Sequence, residues 1–128
     1  MSHQIIHSDQ APSAVGPYSQ AVGAAKGTTY YLSGQIGLEP QSGSLVESSF
    51  HNQVRQAFDN LLAVIEACGA QRTDVVKLTL YLTDLSRFGE VNTIMAEVFD
   101  EPYPARSTLG VSSLPKGASF EVDAVVVV

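Results

Sequence analysis

The sequence predicts an α+β fold in which two helices pack on one face of a mixed β-sheet. Two amphipathic segments have helical spacing, and segments with alternating or β-branched residues lie before, between and after them. The resulting order of strands, helix, strand, helix, strands favours this class of fold. With 128 residues, the chain is expected to form a single domain, 1–128, that needs neither a disulfide nor a metal to fold.

The first predicted strand covers residues 28–32, where β-branched and aromatic side chains favour extended backbone. It continues irregularly through residues 33–37, where two glycines indicate a bulge or a close backbone approach. A helix is then predicted from Ser48 or Ser49, either of which could cap it, to a stop at Gly69. Its apolar face consists of Val54, Ala57, Phe58, Leu61, Leu62, Ile65 and Cys68.

The middle of the chain predicts a strand over residues 75–83, followed by a second helix. One face of this strand is apolar and consists of Val76, Leu78, Leu80 and Leu82. Asp84 is the expected cap of the second helix, which Pro102 and Pro104 end. The apolar stripe of that helix consists of Leu85, Phe88, Val91, Met95, Val98 and Phe99.

The last third predicts two strands, residues 106–111 and 119–128, joined by a turn at residues 114–117. The second strand ends in four valines, 125–128, which are apolar on both faces. A sheet with helices on one side would leave half of these valines in water. We therefore expect another subunit to cover the second face, although a strand enclosed by its own chain would also explain the pattern.

Charge and cysteine content exclude several classes of protein. The chain has 7 Lys and Arg against 13 Asp and Glu, a net charge of −6, which argues against binding nucleic acid or an anionic membrane. No apolar run approaches the roughly 20 residues that span a bilayer. The single cysteine, Cys68, cannot form an internal disulfide and is expected to be a small buried hydrophobe. We expect a soluble, cytoplasmic protein.

Common catalytic motifs are missing from the sequence. His3, His7 and His51 are scattered, and no Cys or His pair has the spacing of metal ligands. There is no nucleophile elbow, phosphate-binding loop or dinucleotide fingerprint. The sequence therefore predicts no metal site and no cofactor.

Three polar residues nevertheless lie in apolar surroundings. Asn92 falls on or beside the stripe of the second helix, Arg106 begins a largely neutral strand, and Glu121 interrupts an apolar one. Each has a structural alternative: backbone hydrogen bonds for Asn92, and ion pairs for Arg106 and Glu121. Arginine is also the natural ligand of a carboxylate, and a partly dry carboxylate is a good general base. Tyr18 lies on a proline-stiffened loop of the kind that often carries function, although packing against the core is an equally common reason for a tyrosine there.

Four segments, in the right order over nearly the whole chain, resemble the RidA (YjgF/UK) family of reactive-intermediate deaminases. They are Gly16-Pro17-Tyr18-Ser19-Gln20-Ala21, Leu32-Ser33-Gly34-Gln35-Ile36, Val91-Asn92, and Pro104-Ala105-Arg106-Ser107 through Leu114-Pro115-Lys116-Gly117 to Glu121. The resemblance implies a chorismate-mutase-like fold and a homotrimer with a barrel-like core. It places ligand sites in the clefts between subunits.

The activity that this resemblance implies is hydrolysis of 2-imino acids and their enamine tautomers to 2-oxo acids and ammonia, without a cofactor. Arg106 would grip the substrate carboxylate and Glu121 would activate water. Tyr18, Ser33 and Asn92 would shape the pocket and position the ligand, and the backbone near Thr108 would contact the imine end. Several family members carry cysteine where this chain has Thr108. A regulatory trimer that binds 2-oxo acids or small amino acids is an alternative, and an RNA-directed role is opposed by the net charge of −6.

Overall fold

The computed structural model describes residues 3–46 and 49–128 of the chain. Within these ranges the chain forms two α-helices and six strands, interspersed with short 3₁₀ turns. Their bounds are β1 (Gln4–Ile6), β2 (Ala21–Gly23), β3 (Thr29–Ile36), α1 (Phe50–Ala67), β4 (Val75–Leu82), α2 (Phe88–Val98), β5 (Ala105–Gly110) and β6 (Phe120–Val127).

The main sheet has the strand order β3-β6-β4-β5. β4 and β5 are parallel, which requires the helical crossover α2 between them, whereas β3 and β4 both pair antiparallel with β6. β1 and β2 form a separate antiparallel hairpin. The hairpin is attached beside β5 at Ser19, whose N–H donates to the Pro104 carbonyl at 3.0 Å. The predicted mixed sheet is confirmed.

Helix α1 is capped as the sequence predicts. The Ser49 hydroxyl accepts a hydrogen bond from the Asn52 N–H at 3.2 Å, whereas Ser48, the other expected cap, lies outside the described residues. Gly69 follows the last turn with φ +75°, the left-handed conformation that ends helices. Cys68 is half-buried against the core rather than fully enclosed.

The core lies between the two helices and one face of the sheet. Phe58 of α1 is fully buried and packs against Phe99 and Phe120, with ring centroids 6.1 and 5.6 Å apart. The sheet contributes alternate residues from its inner strands, which is why both helices lie on the same face. The buried residues of β4 and β6 are Val75, Leu78, Leu80, Leu82, Phe120, Val122, Ala124, Val126 and Val127.

Three details differ from the sequence prediction. The pairing of β4 with β6 shifts between Val75 and Lys77, and this bulge buries Val75 instead of the expected Val76. Asp84 accepts from the Ser86 N–H and so caps a 3₁₀ turn that precedes α2, rather than α2 itself. Leu85, expected in the apolar stripe, is half exposed on that turn.

The second face of the sheet is open in the single chain, but less so than expected. Val127 is buried within the single chain, where the backbone around Gly27 lies against its side chain, so this valine is covered without another subunit. Val125 remains half-buried, and its neighbour Tyr31 on β3 is 81% exposed. No helix within the described ranges is long and apolar enough to cross a membrane.

Candidate functional site

Arg106 lies on the helix-covered side of the sheet, because its register partner in β4 is the buried Leu78. Its side chain reaches α2, where Nη1 donates to Asn92 Oδ1 at 2.7 Å and to Met95 Sδ at 3.5 Å. Asn92 therefore falls beside the apolar stripe, as its spacing predicts, and it binds a side chain rather than backbone. These contacts fix the guanidinium in one orientation.

Two aromatic rings enclose the same guanidinium. Its central carbon lies 5.1 Å from the Tyr18 ring centroid and 5.0 Å from the Phe88 ring centroid. A Cβ on Gly16 would lie 3.4 Å from Nη2, so the Tyr18 loop packs closely on this atom. Burial lowers the pKa of Arg106 from its usual high value, but an arginine of this kind stays charged at neutral pH. Within the described parts of the chain, Nη2 has no hydrogen-bond acceptor.

Thr108 follows Arg106 on the same face of β5, since its register partner is the buried Leu80. Its Oγ1 is buried and has no hydrogen-bond partner among residues 3–46 and 49–128. Leaving a buried hydroxyl unpaired costs about 1–3 kcal/mol. An unpaired hydroxyl on the same face of β5 as a half-buried cation is therefore suited to a polar ligand.

Glu121 lies on the other face of the sheet. Its register partners are Tyr81 on β4 and Ile36 on β3, and Tyr81 alternates with the core-facing Leu80 and Leu82. Burial first, and then the negative charge of Asp123, raise the pKa of Glu121. This carboxylate is therefore a stronger base than an exposed glutamate.

Ser33 and Gly34 lie at the bulge of β3, where the pairing with β6 shifts between Leu32 and Gln35. Ser33 is exposed. A Cβ on Gly34 would overlap the Glu121 carboxylate, 2.8 Å from its Cδ, so the absence of a side chain at this position makes room for Glu121. The predicted close approach at these glycines is confirmed.

The predicted site residues thus form two groups in one chain. The arginine group, on the helix side, consists of Tyr18, Asn92, Arg106 and Thr108, and the glutamate group, on the open side, consists of Ser33 and Glu121. β5 and β6 flank β4, so their backbones are about 10 Å apart in the plane of the sheet. A single chain does not bring Arg106 and Glu121 onto one ligand.

Neither of the following two cavities joins the arginine group to the glutamate group. A cavity of about 340 Å³ lies beside the arginine group and is lined in part by Gly16, Tyr18 and Ser19. A larger cavity of about 750 Å³, between the β1–β2 hairpin and the end of α1, is lined by none of the predicted site residues. Across the described residues, no group of three or more His, Cys, Asp or Glu is arranged to hold a metal ion.

Sequence reasoning missed three contributors to these groups. Phe88 was predicted as a residue of the apolar stripe, but its ring lies against Arg106. Asp123 and Tyr81 were not among the predicted site residues, yet the Tyr81 hydroxyl donates to Asp123 Oδ2 at 2.9 Å beside Glu121. The available signal was alternation, because Glu121 and Asp123 share one face of β6.

Comparisons with known proteins agree with the fold and with the motifs. The model of the endoribonuclease L-PSP family matches residues 8–128. A 2-iminobutanoate/2-iminopropanoate deaminase of Dermatophagoides farinae is 44% identical over 125 residues, covering 98% of this chain and 96% of its own. The structure of RidA from an Antarctic Psychrobacter is 42% identical, with a TM-score of 0.76 and coverage of 98% and 99%. That of Escherichia coli TdcF with bound serine is 35% identical, with a TM-score of 0.75 and coverage of 98% of both chains. The chain therefore belongs to the endoribonuclease L-PSP family, the RidA (YjgF/UK) family that its motifs resemble.

Proposed function

We propose that this protein is a deaminase that hydrolyses 2-imino acids and their enamine tautomers, such as 2-iminopropanoate and 2-iminobutanoate, to 2-oxo acids and ammonia. The observation that carries the proposal is the enclosed Arg106, which Asn92, Tyr18 and Phe88 orient while Nη2 keeps no acceptor in the described chain. The relative that is 44% identical over nearly the whole chain bears the name of this activity. We also propose that the protein is cytoplasmic, because a single unpaired cysteine is ordinary in that compartment.

Arg106 binds the substrate carboxylate through its planar pair of donors. The Tyr18 and Phe88 rings shield part of the half-buried guanidinium from water, which strengthens the ion pair. Binding of the carboxylate places the adjacent imine carbon over β5. The backbone and the unpaired hydroxyl of Thr108 then lie at the nitrogen end of the substrate.

Glu121 acts as the base for the attacking water, and it comes from another copy of the chain. The support for this assignment is the separation of Arg106 and Glu121 onto two faces of one sheet. A chorismate-mutase-like trimer, in which three sheets form a barrel-like core, covers the open faces and joins the two groups in clefts between subunits. Ser33 enters the cleft with Glu121 from the bulge of β3.

The chemistry needs no cofactor. Water adds to the imine carbon while Glu121 takes its proton, and the C=N bond becomes a C–N single bond. Glu121 then gives this proton to the nitrogen and transfers the proton of the new hydroxyl to it as well, so that the C–N bond breaks, ammonia leaves and the carbonyl forms. Imines hydrolyse in water unaided, so an oriented water and a bound carboxylate supply the modest reduction in barrier that is required.

A second candidate is a regulatory trimer that binds 2-oxo acids or small amino acids without turnover. The TdcF structure with bound serine favours this alternative, because it shows that one relative holds an amino acid. Both candidates use Arg106, whereas only the enzyme requires Glu121. A role directed at nucleic acid is opposed by the net charge of −6.

Competition for a reactive imine tests the proposal. An amino-acid oxidase generates 2-iminopropanoate in the presence of semicarbazide, and the yields of 2-oxo acid and semicarbazone are followed. We expect the wild type to divert imine to oxo acid, Arg106→Ala to lose this activity by about 2–4 kcal/mol in transition-state stabilisation, and Glu121→Gln to lose turnover while still binding 2-oxobutanoate. Wild-type yields equal to those of buffer, together with 2-oxobutanoate binding, would support the regulatory trimer instead.

A further inference from the structure

The open face of the sheet carries a second carboxylate beside Glu121. Asp123 follows two residues later in β6, so its side chain lies on the same face, about 7 Å along the strand. The Tyr81 hydroxyl donates to Asp123 Oδ2 at 2.9 Å. Tyr81 is also the register partner of Glu121, so one tyrosine of β4 adjoins both carboxylates.

We propose that Asp123, held by Tyr81, is a positioning residue that makes Glu121 a stronger base by keeping a fixed negative charge beside it. The inference rests on the proposed function and concerns the same site. Neither Tyr81 nor Asp123 belongs to the groups that the motifs identify, and neither needs to touch the substrate.

The electrostatic argument follows from the half-buried position of the pair. Two negative charges on one face of the sheet repel each other. Because β6 has a strand on each side, water screens the partly desolvated Glu121 carboxylate poorly. The pKa of Glu121 is raised by burial and, second, by Asp123. The pKa of Tyr81 is also raised, chiefly because its hydroxyl donates to Asp123, so the phenol stays protonated and keeps its bond.

The other charged groups on this face are farther from Glu121. Lys77 on β4 is the register partner of Val125, which places it beyond Asp123 along the sheet. Tyr31 on β3 is also a partner of Val125. β5 contributes Ser107 and Leu109 to this face, and neither titrates. Among the described strands of this face, Asp123 is therefore the charged residue nearest to Glu121.

The pH dependence of imine hydrolysis tests the proposal. The semicarbazide competition is run from acid to neutral pH with the wild type, Asp123→Asn, Asp123→Glu and Tyr81→Phe, and each variant is compared with the wild type at the same pH. Asp59→Asn, on the exposed side of α1, removes an equal charge elsewhere and is the matched control. Sedimentation of each variant verifies an unchanged assembly.

A glutamate whose pKa is raised loses its active, ionised form as the pH falls through that raised value. Removing the charge of Asp123 therefore moves the acid limb of kcat/KM to lower pH, and the weaker base lowers the plateau severalfold. We expect Asp123→Asn to keep a severalfold larger fraction of its plateau rate at acid pH than the wild type does. Tyr81→Phe should move the acid limb in the same direction by a smaller amount. Asp123→Glu, which keeps the negative charge, should have an acid limb like that of the wild type.

The outcomes separate the inference from the proposed function. An active wild type whose acid limb does not move in Asp123→Asn and Tyr81→Phe would overturn the role of Asp123 alone. The same shift in Asp59→Asn would also overturn it, since net charge and not position would then be the cause. A wild type that diverts no imine would overturn the proposed function itself. If Asp123→Asn fails to fold, the position of the acid limb in Tyr81→Phe decides whether Asp123 has this role.

Discussion

Thr108 combines a cost to stability with a position on the same face of β5 as Arg106, the residue proposed to bind the substrate carboxylate. Its buried Oγ1 has no partner in the described chain, so Thr108→Val, which keeps the shape and removes the hydroxyl, should leave the free energy of unfolding unchanged or raise it by up to about 1 kcal/mol. The same change should lower kcat/KM about three- to tenfold, because one hydrogen bond to the nitrogen end is lost. Denaturant unfolding and the semicarbazide competition measure the two quantities.

Thr108→Cys is the matched control, since several family members carry a cysteine there. A mechanism that uses water predicts turnover within a few fold of the wild type. A rise by orders of magnitude would show that the thiol takes part, and it would contradict the assignment of attack to water. A destabilised Thr108→Val would instead show that the hydroxyl is satisfied in the assembled protein.

The sequence pattern predicted which polar residues interrupt apolar segments, but it did not predict the residues that these side chains contact. The alternative of an ion pair is not realised for Arg106 or Glu121 within the described residues, where Arg55 pairs with Glu97 and the His7 ring contacts Asp9. Arg106 contacts an amide, a thioether and two rings instead. These partners come from α2 and from a loop that is distant in the sequence, and spacing along the chain carries no information about them.

The bulge of β3 is the element on which the placement of Glu121 depends. Gly34→Ala adds a Cβ where the carboxylate lies, and the flexible end of Glu121 must then turn away. We expect kcat/KM to fall about a hundredfold, as for an angstrom-scale displacement of a catalytic group, while the melting temperature changes little. Kinetics and thermal unfolding of the purified variant test both expectations.

Gly89→Ala provides the control for this substitution. Gly89 lies near the start of α2, where a Cβ meets open space, so alanine should raise stability by up to about 1 kcal/mol and leave activity unchanged. Equal losses of activity in both variants would trace the effect to glycine replacement in general. Wild-type activity in Gly34→Ala would show that Glu121 has another working orientation.

Long elements with a strong period were predictable, and irregular ones were not. α1, α2 and the inner strands follow from the apolar pattern, because each buries one continuous face. β1 and β2 have three residues each and are too short to show alternation. The bulge at Val75 reverses which valine is buried, and it depends on pairing with β6, which is distant in the sequence.

At the scale of the whole molecule, one face of the sheet remains uncovered by its own chain. Tyr31 is 81% exposed and Leu109 43% exposed on this face, beside the half-buried Val125. The four valines at the end of the last strand predicted that another subunit covers this face, although Val127 is covered within the chain. The separation of Arg106 from Glu121 is a second and independent reason to expect an assembly, because it concerns chemistry rather than exposed area.

Mixing two inactive variants tests whether the site is shared between chains. Arg106→Ala retains the glutamate group, and Glu121→Gln retains the arginine group. The two chains are co-expressed in equal amounts. In a trimer with sites between subunits, a site is intact where a Glu121→Gln chain supplies the arginine and an Arg106→Ala chain supplies the glutamate. Random assembly produces this arrangement at about one site in four. Purification through two different tags removes trimers of one chain type, and each trimer that remains has this arrangement at one of its three sites. We therefore expect about a third of wild-type turnover in the purified material.

The control for this mixture is the double variant Arg106→Ala/Glu121→Gln co-expressed with either single variant, which offers no intact pair and should stay inactive. Sedimentation of the doubly tagged material must show one species of three chains. Inactive mixed trimers would mean that Arg106 and Glu121 must come from the same chain, and the two faces of the sheet would then have to meet by a rearrangement of β5. Recovery of activity would instead explain why each chain orients its arginine so tightly: the guanidinium must be in place before a neighbouring sheet brings the base.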